Sequence, residues 1–234
     1  MKNMNLKQDD IRQIIEQVKK ENIADGRGRS FDYCYNYFRA NSGNKLTKDI
    51  EKSCLVIGFY LASWGMLRSS SFLSKKSVKY FKPLITYFST LDKEYWQYDV
   101  DKYNFLTIRE ICDLYQEIKN RIIERNAQPH TLVTKIMLGV FGIVPAFDNN
   151  FKAFLRHLSN SQYGLTSFNE KTLGFIHQFY LDNKTVINNL SDSTQTIDFK
   201  NGKQTGLKYT KARIIDMYGF IIGEQHQKDR VLKK

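Results

Sequence analysis

No hydrophobic run in the chain is long enough to span a bilayer. The longest near-apolar stretch, Leu55 to Leu67, has 13 residues and is broken by Ser63, whereas a spanning helix needs about 20. Cysteine is scarce: Cys34, Cys54 and Cys112 are odd in number, widely spaced and in no CxxC or Cys/His pair. That excludes a disulfide framework, predicts no zinc site, and suits three reduced thiols in a cytosol. Only 3 Pro and 13 Gly occur among 234 residues, so collagen-like, mucin-like and linker-divided architectures fall away. The four histidines (His130, His157, His177 and His226) lie in different segments without metal-ligand spacing. The chain contains no GxSxG, P-loop or GxGxxG; no metal and no cofactor is expected. Met1 to Lys7 is polar and has no apolar h-region, so a soluble, cytoplasmic protein with no membrane partner is expected.

What the chain has is aromatic and basic. Aromatics make up 14% and hydrophobic residues 41%, enough burial to exclude disorder as the dominant state. The net charge of +12 favours a polyanionic partner such as nucleic acid. Lys outnumbers Arg 25 to 11, a bias that genome composition alone also produces. The excess is uneven. Residues 1–80 carry 15 basic and 8 acidic side chains, residues 81–160 carry 10 and 9, and residues 161–234 carry 11 and 7.

Helical periodicity dominates. Asp9 or Asp10 stands ready to cap a first helix through Ile11, Ile14, Ile15 and Val18, which fades before Asp25-Gly26-Arg27-Gly28. Phe31–Ala40 is an aromatic helix, Thr47 starts a long apolar one, and Val78–Phe88 is a third that Pro83 shortens or kinks. Thr107 with Glu110, and Ser167 with Glu170, have capping-box spacing. Pro129 suits the first turn of a helix running to about Gly139. Residues 194–209, with Asn201-Gly202, fit a short β-hairpin or a loop. These signals predict an all-α fold: one domain over residues 1–234, with about eight to ten helices and a small hairpin at most. Leu55, Leu61, Trp64, Ile111, Leu114, Ile136, Phe151, Phe154, Leu173 and Ile176 are the expected core.

Two segments stand apart. In the first, a buried helix runs through Trp64 and Gly65 into Arg68-Ser69-Ser70-Ser71, followed by Lys75 and Lys76. Serine hydroxyls, free helix-end amides and a bidentate Arg68 can hold phosphate oxygens. Alternatively, the serines only cap a helix, with Arg68 solvated or paired to a carboxylate. The second runs from Thr131 through Gly139-Val140-Phe141-Gly142 to Asp148, and reads as helix, glycine-marked hairpin and an Asp heading another helix. Asp148 is placed either as an N-cap or as a catalytic carboxylate.

This second segment resembles the helix-hairpin-helix DNA glycosylases. The resemblance implies that Gly139 and Gly142 present amides to a DNA phosphate and that Asp148 is catalytic. The hairpin is one residue longer than the family's Gly-x-Gly, and Lys135 precedes it rather than following it. Both segments, with Arg213-Ile214-Ile215-Asp216-Met217-Tyr218-Gly219, also resemble an uncharacterised all-helical bacterial family, which implies no activity. Two functions are therefore expected: a nucleic-acid-binding protein on a glycosylase-like scaffold, or a protein–protein interaction module without enzymatic activity.

Overall fold

The computed structural model describes residues 8–21, 26–124, 129–160 and 164–232; the polar stretch 1–7 and Asp25 lie outside them. Eleven α-helices occur among the described residues: α1 (Gln8–Glu21), α2 (Arg29–Ala40), α3 (Lys45–Lys48), α4 (Ile50–Ser63), α5 (Lys82–Ser89), α6 (Phe105–Ile122), α7 (Pro129–Phe141), α8 (Asn149–Leu158), α9 (Glu170–Asp182), α10 (Lys184–Ser193) and α11 (Lys211–Leu232). Four short 3-10 turns lie between α4 and α6. The fold is all-α apart from one antiparallel hairpin of β1 (Gln195–Ile197) and β2 (Gln204–Lys208). Its register pairs Gln195 with Lys208 and Ile197 with Gln204, with an irregularity between them. No helix among the described residues is long and apolar enough to cross a membrane.

Side-chain caps set several helix starts. Asp49, Asn104, Asp148 and Asn169 each accept the backbone N–H three residues on, from Lys52, Thr107, Phe151 and Thr172. Two of these caps differ from the capping-box spacing. Asn104 starts α6 ahead of Thr107, and Asn169 replaces Ser167 at the head of α9. The Asn carbonyl oxygen reaches the free amide three residues on, so the helix begins where that acceptor lies. The helix expected from Thr47 breaks at Asp49 into α3 and α4. Pro83 lies in the first turn of α5, where its missing N–H costs nothing, and the helix expected from Val78 is shortened to begin at Lys82, with Val78–Phe81 a 3-10 turn ahead of it. Asp9 and Asp10 lie inside α1, which begins at Gln8.

The helix α7 occupies the centre. Every residue from Leu132 to Phe141 is buried, and burial continues through the extended stretch Ile143–Phe147. The helices α2, α4 and α6 pack on α7, while α11 lies along α8 and also meets α1 and α10. Of the expected core, Leu61, Ile111, Leu114, Ile136, Phe151, Phe154, Leu173 and Ile176 are at most 1% exposed. Leu55 is not: it is 48% exposed, beside Phe59 at 68%. The helix α4 turns Cys54, Ile57 and Leu61 inward, which leaves Leu55 on the opposite side. Trp64 is half-buried at the α4 terminus.

Candidate functional site

Trp64 is set by a glycine-terminated helix end. Gly65 has φ +74°, its N–H donates to the Ala62 carbonyl (2.9 Å), and the Met66 N–H donates to that of Leu61 (2.8 Å). The indole orientation is then fixed by hydrogen bonds. Trp64 Nε1 donates to Ser30 Oγ (2.9 Å), and Ser30 Oγ donates to the Arg27 carbonyl (2.7 Å). Lys135 Nζ, on the central helix, donates to the Trp64 carbonyl (2.8 Å).

A cleft of about 270 Å³ opens beside this indole. Its walls include Val18 of α1, Arg27 and Gly28 of the turn before α2, and Arg213, Asp216, Met217, Phe220 and Ile221 of α11. The lining mixes apolar and charged side chains. The Arg213 guanidinium lies 4.5 Å from the Phe31 ring centroid and 5.1 Å from that of Trp64, and it pairs with Asp216 at 2.5 Å. Asp216 also accepts the Ala146 N–H (2.8 Å), which ties α11 to the stretch after α7. Burial pushes the Asp216 carboxyl up despite these donors. Arg213 is 4% exposed, and its Nε is buried without a hydrogen-bond partner among the described residues.

Lys135 completes the cluster from below. It is 6% exposed, and desolvation lowers its pKa. Asp148 and Asp216 lie near enough to pull the pKa back up, while Arg27 and Arg68 push it down further. Three cations from three separate stretches, Arg27, Lys135 and Arg213, therefore lie over the Trp64 ring at 5.8, 5.8 and 5.1 Å, and Arg68 and Asp148 act on Lys135 from nearby.

The structure brings together some of the expected site residues and separates others. Arg68 is exposed, with Nε donating to the Gly65 carbonyl (2.9 Å), and belongs to this cluster. Asp148 also lies within electrostatic reach of Lys135, and its carboxylate accepts the Phe151 N–H (3.0 Å) as the α8 cap. Ser69 and Ser70 are exposed. Ser71 caps a four-residue 3-10 turn by accepting from Leu73 N (3.3 Å), so no full helix end faces outward there. Lys75 is exposed, and Lys76 is paired with Glu124 at 2.6 Å.

The two glycines have no hairpin role. Gly139 lies inside α7, where a methyl group would come 2.3 Å from Tyr60 Cε1. Gly142 ends α7 at φ +72°, and its N–H is taken by the Met137 and Leu138 carbonyls. Both are buried, which leaves no amide for a phosphate.

Arg27, Lys135, Arg213 and Asp216 were not among the expected site residues, although the sequence shows a Gly-Arg-Gly-Arg turn and a lysine in an otherwise apolar helix. Among the described residues no group of three or more His, Cys, Asp or Glu side chains gathers as a metal site. Comparisons with protein-family models, curated proteins and solved structures give no match to this chain.

Proposed function

We propose that the protein binds nucleic acid, with phosphates drawn to the Trp64 cleft. The observation that supports this is the gathering of Arg27, Lys135 and Arg213 over one half-buried indole, with Arg68 acting on Lys135 from nearby, in excess over Asp148 and Asp216. Lys135 and Arg213 are desolvated, with Arg213 paired to Asp216, while Arg27 and Arg68 are exposed, and buried positive charge is costly to a fold. A ligand that carries negative charge offsets that cost. Elsewhere several cations already have carboxylate partners: Lys76 with Glu124, Arg121 with Glu117, Lys208 with Asp192, and Lys211 with Asp99 and Asp101.

Anisotropy titration of a labelled oligonucleotide tests this. Binding is expected at about 50 mM salt and to fall steeply toward about 200 mM through counterion release. Arg27→Ala with Arg68→Ala should weaken binding about tenfold or more and flatten the salt slope, because two phosphate contacts are lost. Lys75→Ala with Lys76→Ala should do much less. No binding at low salt would overturn the reading. The alternative, a protein-interaction module, would then lead; it draws on Leu55 and Phe59, one turn apart and exposed on α4.

A further inference from the structure

We infer that the nucleic acid taken by this cleft is single-stranded, with one unpaired base laid against Trp64 and its flanking phosphates on Arg27 and Arg68. The inference rests on the nucleic-acid reading above and adds which form of the polymer the site accepts.

Shape is the first argument. A duplex presents phosphates and base edges, and its base faces are covered by stacking. Only an unpaired base can offer a π-face to an indole inside a concavity. The cleft, at about 270 Å³, lies just below the range of about 300–1,000 Å³ usual for ligand pockets. That suits one nucleotide rather than a helix. Val18, Met217, Phe220 and Ile221 supply apolar lining beside the charged groups, as a planar base requires.

The second argument is the distribution of charge. Even small duplex-binding modules cover about 600–1,000 Å² with phosphate contacts spread along the backbone. Here Arg27 lines the cleft and is exposed, and the exposed Arg68 lies near enough to act on Lys135 beside it. The neighbouring Lys76 is engaged by Glu124. One strand can bring its phosphates to such a point, but a rigid duplex spreads them away from it.

The third argument is an unmet hydrogen bond. Arg213 lines the cleft, is 4% exposed, and keeps a buried Nε–H without a partner among the described residues. Buried donors are nearly always satisfied. The Nε itself is closed to solvent in the unbound cleft, so a base or phosphate oxygen entering beside Trp64 would supply the acceptor once the Arg213 side chain shifts toward it. The indole itself is held ready, since Ser30 takes its N–H and Lys135 its backbone carbonyl (2.9 and 2.8 Å), so little ordering remains to be done on binding.

The chain has two tryptophans. Trp96 is 5% exposed and packed on Phe141, so Trp96→Phe leaves Trp64 as the only indole emitter. This variant, checked for fold by circular dichroism, is titrated with oligothymidylate and oligouridylate of about 12 nucleotides and with a hairpin duplex of equal phosphate number. Both single strands are expected to quench Trp64 emission and to bind about tenfold tighter than the duplex. In the otherwise native chain, Trp64→Leu should cost about tenfold or more in single-strand affinity and much less in duplex affinity, while Trp64→Phe keeps most of the single-strand affinity. Should Trp64→Leu not fold, the quench and the Trp64→Phe affinity decide. Equal binding of both forms with Trp64 emission unmoved would overturn the single-strand inference and leave the general reading standing. Failure of every oligonucleotide to bind would remove both.

Discussion

Asp99 holds the start of the last helix without touching the cleft. Its Oδ1 accepts the N–H groups of Val100 (2.7 Å) and Ala212 (2.9 Å), and its Oδ2 accepts that of Lys211 (2.8 Å). Burial outweighs these donors and pushes the carboxyl up to about 6. The folded chain therefore binds this proton more tightly than the unfolded chain, whose carboxyl keeps its ordinary value of 3.8. Asp99's contribution is fully present below about 4 and is lost as pH climbs through about 6, beyond which it is flat. Asp99→Asn removes the titration and leaves the Lys211 N–H facing an amide donor. The variant should be less stable than the native chain by about 1–3 kcal/mol near neutral pH, and the gap should widen by roughly 1–3 kcal/mol at about pH 4. Urea midpoints of both proteins at the two pH values check this. A gap that narrows at the lower pH would refute the assignment.

At the scale of one helix, orientation decides what a leucine contributes. Leu114 of α6 is 1% exposed and Leu55 of α4 is 48% exposed. Leu114→Ala should cost about 2–5 kcal/mol through lost burial and a cavity, whereas Leu55→Ala should stay within about 0.5 kcal/mol; chemical denaturation of the two variants measures the contrast. The existence of α4 was legible from its composition, but its inward face was not. Apolar residues stand on more than one side of it, so periodicity does not choose between Cys54-Ile57-Leu61 and Leu55-Phe59. In α6 the stripe through Ile111, Leu114, Tyr115 and Ile118 is one-sided, and every member is buried. The hairpin was legible only as far as its Asn201-Gly202 turn: Gly202 has φ +66°, and Phe199 is 76% exposed beyond β1. The site was legible in fragments. Arg68, Lys135, Asp148 and the Arg213–Asp216 stretch each stand out locally, but their meeting near Trp64 and Lys135 depends on how α4, α7 and α11 pack. No local spacing encodes that. The glycines looked like a hairpin because Gly-x-x-Gly marks a break. One proves to be a packing site under Tyr60 and the other a helix terminator.

Across the whole molecule, three buried carboxylates tie distant stretches of chain together. Asp32 of α2 accepts from Tyr209 Oη (2.5 Å) and the Ile197 N–H (3.2 Å), Asp99 accepts from Lys211 and Ala212, and Asp216 accepts from Ala146. The last helix is itself core: residues 212–219 are all buried. At Gly219 a methyl group would lie 2.6 Å from the Phe151 ring, and at Gly223 one would lie 1.8 Å from the Asn150 carbonyl oxygen. Such close approach means that α8 and α11 cannot be replaced by water without exposing Phe151 and Phe154 together. Chains of this length often unfold through intermediates. Here the first, middle and last thirds share buried hydrogen bonds, so a single transition is expected, with near- and far-ultraviolet circular dichroism coinciding along a urea titration. Deleting residues 211–232 should abolish that transition rather than shift it, because Ala146 loses its acceptor and the α8 aromatics lose their cover. If the shortened chain kept a sharp cooperative transition, α11 would be an appendage. Its run of buried residues and the Arg213–Asp216 pair beside Trp64 would then not be part of the core that holds the cleft in shape.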